Sequence, residues 1–399
     1  MEELKLTQPE KKTGARCDLS FLSIDAIQKV YGFHKSFPVY KETPLACMDD
    51  LAGELGIAGL YVKDESYRFG LNAFKVLGGS YAIGQHIAKI LEKDISELPY
   101  EKMISEEVRK RTGELTFVTA TDGNHGRGVA WTANQLKQKS VVYMPKGSAK
   151  ERLESIRAEG ADASITDLNY DGAVRLANKM AGEKGWVMVQ DTAWEGYTDI
   201  PEWIMQGYST MGYEAYQQLA AKPTHIFLQA GVGSMSGAVT GLFAGIYGDD
   251  RPIITIVEPN KADCLFRTAQ ADDGKLHFVT GDMDTIMAGL ACGEPCTIAW
   301  DILRRFADNF ISCPDYIAAR GMRILGNPPG KDQKVVSGES GAVTAGLIAE
   351  LMLNPARSEI RKALSLDRDS RILCFNTEGD TDRENYKAIV WDGKEPSTT

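Results

Sequence analysis

The chain reads as an α/β protein of two doubly wound domains with a cleft between them, and three observations predict this. First, short apolar runs rich in β-branched residues recur at 60–62, 116–120, 140–144, 163–166, 186–190, 225–230, 253–258 and 371–376. Runs of this length without strict alternation suit strands covered on both faces, as in parallel sheets. Second, segments with helical apolar spacing alternate with them, at 75–92, 126–137, 150–159, 170–184, 200–220, 236–247 and 341–353. Third, strand, turn and helix follow one another in that order, the repeat from which doubly wound sheets are made. Length agrees, since 399 residues at ~150 per domain give about two or three domains.

Taken in order, the segment 92–114 is rich in charge and contains Pro99, so it reads as a connector followed by a solvated amphipathic helix. Between about 116 and 190 a β-α-β-α-β pattern could close a small domain, and from about 222 a second α/β run continues onward. The expected division is a small domain at 93–205 and a large one made of 1–92 plus 206–399.

Composition narrows the function. The chain is 43% hydrophobic, 25% charged and 9% aromatic, which is globular and leaves no low-complexity segment to explain. Its net charge is −10, with pI near 5.2, so nucleic acid is not an expected partner: a phosphate footprint needs clustered Lys and Arg. No apolar run approaches ~18 residues, so no membrane-spanning helix is expected. The opening MEELKLTQPEKK lacks the apolar stretch of a secretory signal, and the seven cysteines are odd in number and widely spread. Reduced thiols and a cytoplasmic location are the expectation.

Four sites could carry chemistry. Ala230 is followed by Gly231, Val232, Gly233, Ser234, Met235, Ser236 and Gly237, directly after a strand-like run and before a helical one. Glycines there let backbone N–H groups approach an anion at a helix N-terminus, which makes a phosphate cradle. The same loop could be a plain β-α turn. It is neither the G-x-G-x-x-G fingerprint, because position 236 is Ser, nor a GK[ST] P-loop. Next, T-D-G-N-H-G (121–126) again opens a helix at a strand end, where ligands of parallel sheets bind. Asn124 offers a donor and an acceptor and Asp122 a carboxylate; alternatively Asp122 caps the helix, and His125 packs or bonds locally. Lys75 starts a helix, where the dipole disfavours a cation, so it is either a solvated lysine or one kept for use. Asp191 follows an apolar run and lies at a sheet edge by the same rule. No metal is expected: Cys292-x-x-x-Cys296 lacks a second ligand pair, and the five histidines form no HExxH. No G-x-S-x-G supports a hydrolase.

The order of these pieces is more informative than any one of them. N-A-F-K (72–75), D-G-N-H-G (122–126), G-V-G-S-M (231–235) and S-G-E-S-G-A (337–342) together resemble the fold-type II pyridoxal-phosphate enzymes, over about 37–382. RFGLNAFKVLGGSYA, TATDGNHGRGVAW, VQDTAWEGY and NTEGDTD are similar to the diaminopropionate ammonia-lyases within that family. The resemblance implies an active site in the cleft and pyridoxal 5′-phosphate as cofactor. It implies that Lys75 binds the cofactor covalently, that Asn124 bonds its 3-hydroxyl, and that Gly231, Val232, Gly233, Ser234 and Met235 hold its phosphate. Thr377 would stand beside the pyridine nitrogen, in a segment reading T-E-G-D where dehydratases read S-G-G-N. A neutral partner there would leave the ring unprotonated.

The resemblance implies α,β-elimination of 2,3-diaminopropionate to pyruvate and two ammonia by a homodimer. Serine or threonine dehydratase, β-replacement synthase and a non-catalytic binding protein of the same fold are the alternatives. Dehydratases read S-x-G-N-H where this chain has T-D-G-N-H, which places Asp122 near their serine. Asp122 and Asp191 could both attract the second amine of the substrate. With Lys75 as base on one face and Asp122 on the other, both enantiomers are expected to react. Cys264 and Cys292 could pair under oxidation, with two thiols the expected state in a cytoplasm.

Overall fold

The computed structural model describes residues 3–10, 17–121, 123–194 and 196–396. Contacts divide the chain into two compact units. One takes its residues from 1–19, 42–73 and 211–399, the other from 20–41 and 74–210.

The first unit is built on strands β1 (Lys5–Thr7), β2 (Leu45–Cys47) and β3 (Gly59–Asp64), and the second on β4 (Thr116–Ala120), β5 (Lys139–Met144), β6 (Asp162–Ile165) and β7 (Val187–Met188). The chain then returns to the first unit with β8 (His225–Gln229), β9 (Ile253–Pro259), β10 (Asn309–Cys313) and β11 (Arg371–Asn376). Among the described residues the larger sheet runs β1-β10-β9-β8-β11-β3-β2. Its interior pairs are parallel, and β1 and β2 close the edges antiparallel. The smaller sheet, β6-β5-β4-β7, is parallel throughout.

Both faces of the smaller sheet are covered, as its unbroken apolar runs require. Val142 and Met144 pack with Ala130, Leu153 and Ile156 on one side. The adjacent Val141 packs with Val118, Ala173, Ala177 and Met188 on the other. Successive side chains alternate across a strand, so two layers of helix are needed to bury them.

The helix Val76–Leu91 groups with the smaller sheet, whereas the expected division placed everything up to 92 with the large domain. Small residues bring it there. A Cβ at Gly78 would lie 2.6 Å from the Tyr208 ring, and one at Gly128 would lie 2.8 Å from the Val76 backbone. Side chains at these points would hold the helices apart.

The strands β1, β2 and β10 have no counterpart among the expected runs. β10 reads NFISC, with polar residues inside the strand, yet it is buried along its length. Its polar atoms are satisfied internally: Asn309 Nδ2 donates to Thr255 Oγ1 at 3.1 Å and Ser312 Oγ to Asp263 Oδ2 at 2.8 Å. The helices Ile24–Lys35, Cys264–Ala271, Thr297–Phe306 and Asp315–Gly326 were likewise not expected. The segment expected as connector and helix holds two short helices, Tyr100–Met103 and Glu106–Thr112.

A buried quartet of charges anchors the turn after β3. Arg68 Nε lies 2.8 Å from Glu65 Oε2 and its Nη2 2.8 Å from Glu214 Oε2, while Lys63 Nζ lies 2.6 Å from the same Glu214 oxygen. Two cations face two anions, so no net charge is buried. The turn beyond them carries Phe69 and Asn72 in the left-handed region, with φ of +50° and +59°. The Asn72 carbonyl accepts from the Gly379 N–H at 3.0 Å, and Asn72 Nδ2 donates to Asp380 Oδ1 at 3.1 Å.

Candidate active site

In the smaller unit, Lys75 stands immediately before the helix Val76–Leu91, with no side chain capping that helix. Its Nζ lies 2.5 Å from Asp191 Oδ2. Asp191 sits just past β7 in a segment clamped by Tyr197, whose hydroxyl accepts from Gln190 N at 2.8 Å and donates to Met188 O at 3.0 Å. Gln190 adds a second clamp: its Oε1 accepts from Thr119 Oγ1 at 2.9 Å and Ala120 N at 3.2 Å. Asp191 is thus fixed beside the end of β4. Burial alone would raise its carboxyl pKa, but the Lys75 charge and the Lys75 hydrogen bond outweigh it and hold the group at about 2. It is an anion at any physiological pH.

His125 is buried, and its Nε2 donates to Val189 O at 2.8 Å. Burial, aided by the Lys75 charge, lowers its pKa, so the ring is neutral and Nδ1 is left as a buried acceptor without a partner among the described residues. Tyr208 is 1% exposed and its hydroxyl has no hydrogen-bond partner among the described residues. Burial raises its pKa, and it stands within electrostatic reach of both Lys75 and Asp191. Asn124 opens the helix Asn124–Gln135 in the same unit. Asp122 lies outside the described residues.

In the larger unit, the loop 231–235 leads from β8 into the helix Ser234–Tyr247. Gly233 has φ of +97°, which favours glycine, and no side chain caps the helix. Its first N–H groups have no partner within the helix. A Cβ at Gly231 would lie 3.1 Å from Cys292 Sγ. The loop could therefore take an anion by backbone contact, and no acidic residue stands in the first turn of the helix to repel one. No disulfide forms among the described residues: Cys264 and Cys292 are both thiols, and burial keeps the Cys264 thiol protonated. Thr377, 3% exposed, follows β11, and its hydroxyl accepts from Gln229 Nε2 at 3.0 Å.

A lysine amine in one unit, and in the other a glycine loop opening a helix and a buried hydroxyl, are the kinds of group that could hold an aldehyde-bearing phosphorylated cofactor. Residues 37–377 match the family of pyridoxal-phosphate dependent enzymes. The chain belongs to this family. Its architecture is that of fold type II. The chain is 52% identical over 389 residues to the diaminopropionate ammonia-lyase of Salmonella typhimurium, with 96% of each covered. Among solved structures, the holo diaminopropionate ammonia lyase of Escherichia coli superposes with a TM-score of 0.92 at 46% identity, covering 98% of both chains. The same enzyme in complex with D-serine gives 0.92 at 46% identity, covering 99% of this chain and 98% of its own.

The structure brings Lys75 and Asp191 together and adds His125 and Tyr208 around them. Sequence reasoning took His125 to pack or bond locally and passed over Tyr208 and Gln229. The signals available were slight: a glutamine closing the otherwise apolar HIFLQ run, and a tyrosine on a helix whose neighbour carries Gly78 and Gly79.

Proposed function

We propose that this chain catalyses the pyridoxal-phosphate-dependent α,β-elimination of 2,3-diaminopropionate to pyruvate and two ammonia, as a carbon–nitrogen lyase. The observation that carries the substrate reading is the ionised, buried Asp191 carboxylate beside Lys75. A hydroxy amino acid has no use for such an anion, whereas the second amine of diaminopropionate is a cation. At ~4 Å and an effective dielectric of ~20 the two charges attract by about 4 kcal/mol before desolvation. A net preference of about 1–3 kcal/mol over serine, roughly 5- to 150-fold, is expected.

Bound at Lys75, the cofactor supplies the electron sink that makes the α-proton of an amino acid removable. Lys75 holds the cofactor through Nζ and, once displaced by substrate, takes the α-proton of the L-enantiomer. Asp122 takes that of the D-enantiomer from the other face, and the D-serine complex of the Escherichia coli enzyme accords with D-amino acids entering such a site. Asp191 binds and orients the departing β-amine. Asn124 bonds the 3-hydroxyl, the N–H groups of Gly231, Val232, Gly233, Ser234 and Met235 bond the phosphate, and Thr377 bonds the ring nitrogen. We propose further a cytoplasmic homodimer with no nucleic-acid partner. No helix among the described residues is long and apolar enough to cross a membrane.

The decisive experiment follows the absorbance of the purified protein and its pyruvate output with D- and L-diaminopropionate, L-serine and L-threonine. Faster turnover of diaminopropionate is expected. Equal rates on the hydroxy amino acids would make it a dehydratase. Pyruvate formed from none, with product only when a nucleophile is added, would make it a β-replacement synthase. A colourless protein that binds no cofactor would end the enzymatic reading.

A further inference from the structure

The side chain of Gln229 closes β8, and Phe375 and Thr377 flank the end of β11 beside it, since the two strands pair in parallel and finish at one edge. All three are buried. Gln229 Nε2 lies 2.9 Å from the Phe375 carbonyl oxygen and 3.0 Å from Thr377 Oγ1. A backbone carbonyl can only accept, so the amide face turned to Phe375 must be the NH₂ group. Its second N–H then points at Thr377, whose oxygen must be the acceptor of that bond. The amide cannot be flipped without setting two oxygens against each other.

The consequence falls on the Thr377 proton. The hydroxyl makes no hydrogen bond to any described residue besides the one it accepts from Gln229. Its proton is left for an acceptor that the described residues do not supply. An unprotonated ring nitrogen is such an acceptor. A protonated one is not, and would leave a buried hydroxyl proton unsatisfied, which costs more than the bond it would otherwise make.

We infer that Gln229 is a positioning residue: it fixes the direction of the Thr377 hydroxyl, so that Thr377 presents a proton donor to the cofactor's ring nitrogen and favours the unprotonated ring. The inference rests on the assignment of Thr377 to the ring nitrogen under the proposed function. Gln229 acts through Thr377 and touches no substrate.

The test reads the ring nitrogen directly. The cofactor-free protein is loaded with ¹⁵N-labelled pyridoxal phosphate, and the nitrogen resonance and the cofactor dissociation constant are measured for wild type, Thr377→Val, Thr377→Ser, Gln229→Glu and the Gln229→Glu/Thr377→Val pair. In Gln229→Glu the oxygen nearest Thr377 accepts, whether the carboxyl is ionised or gives its proton to Phe375, so the hydroxyl proton turns inward. The resonance should then move to the position seen in Thr377→Val, cofactor binding should weaken by about 3- to 10-fold, and the double variant should add nothing further. Thr377→Ser should keep the wild-type resonance.

If Thr377→Val shifts the resonance and Gln229→Glu does not, the role of Gln229 is overturned while the assignment of Thr377 stands. If Thr377→Val itself shifts nothing, that assignment fails and takes the inference with it. Should Gln229→Glu not fold, Gln229→Met removes the fixing donor at similar length. It should give a smaller shift in the same direction, and a wild-type resonance there overturns the inference equally.

Discussion

Lys75 begins a helix at the end where the dipole disfavours a cation, and the carboxylate of Asp191 at 2.5 Å offsets that penalty. Three predictions belong to these side chains. Borohydride reduction of the yellow holoenzyme should fix the cofactor to the peptide carrying Lys75, and Lys75→Ala should lose at least about 10²–10⁴-fold in turnover. A label on another lysine would remove Lys75 from its role. The second prediction concerns acid. The Asp191 carboxyl is held at about 2 against an ordinary 3.8, so its contribution to the stability of the cofactor-free protein is full above the ordinary value. That contribution, about 2 kcal/mol, is lost as pH falls from ~4 towards ~2. Denaturant titrations of wild type and Asp191→Asn should therefore converge over that window and differ above it. The third is kinetic: Asp122→Asn should lose activity on D-diaminopropionate while keeping much of that on L. Equal losses on both would assign Asp122 to the shared β-amine and leave one base.

At the scale of elements, the proposed phosphate cradle depends on one residue of unusual backbone. Gly233 has φ of +97°, and a Cβ there would lie 3.2 Å from Leu265 Cδ1 and 3.4 Å from Leu303 Cδ1. In Gly233→Val a β-branched side chain meets both constraints. The strain, about 1–2 kcal/mol, bears on the turn that would aim the N–H groups at the phosphate. Cofactor affinity should fall far more than the unfolding midpoint of the cofactor-free protein, as equilibrium titration and thermal melts would show. A folded variant with wild-type affinity would place the phosphate elsewhere. The loop was legible because glycine spacing between a strand and a helix is a local signal. The cysteines behind it were legible only as residues: that Cys292 Sγ backs Gly231 is a tertiary fact.

For the whole molecule, a net charge of −10 spread over 399 residues opposes non-specific binding to nucleic acid. With the homodimer proposed above, sedimentation equilibrium should return about twice the 43.7 kDa of the chain, independent of added DNA. A monomeric mass in a fully active sample would contradict the dimer. Within each unit the sheet was anticipated best where it is parallel and continuous in apolar character, as in β4, β5, β8, β9 and β11. It was missed at β1 and β2, which are three residues long, and at β10, whose Asn309 and Ser312 read as loop.

The order of apolar runs and glycine turns sufficed for the α/β class, because short-range patterns encode strands and turns directly, whereas Lys75, Asn124 and the loop 231–235 were singled out by their resemblance to a known family. Partnership across the chain is another matter. Lys75 meets Asp191 at 116 positions' distance, Gln229 meets Thr377 at 148, and Arg68 meets Glu214 at 146. Nothing local distinguishes these residues from solvated ones. Burial removes the water that would otherwise satisfy them, so each must find its charge or hydrogen-bond partner on another element. That choice is made when the elements of each unit pack together. Which carboxylate faces the lysine, and which amide meets the threonine hydroxyl, was therefore decided by packing.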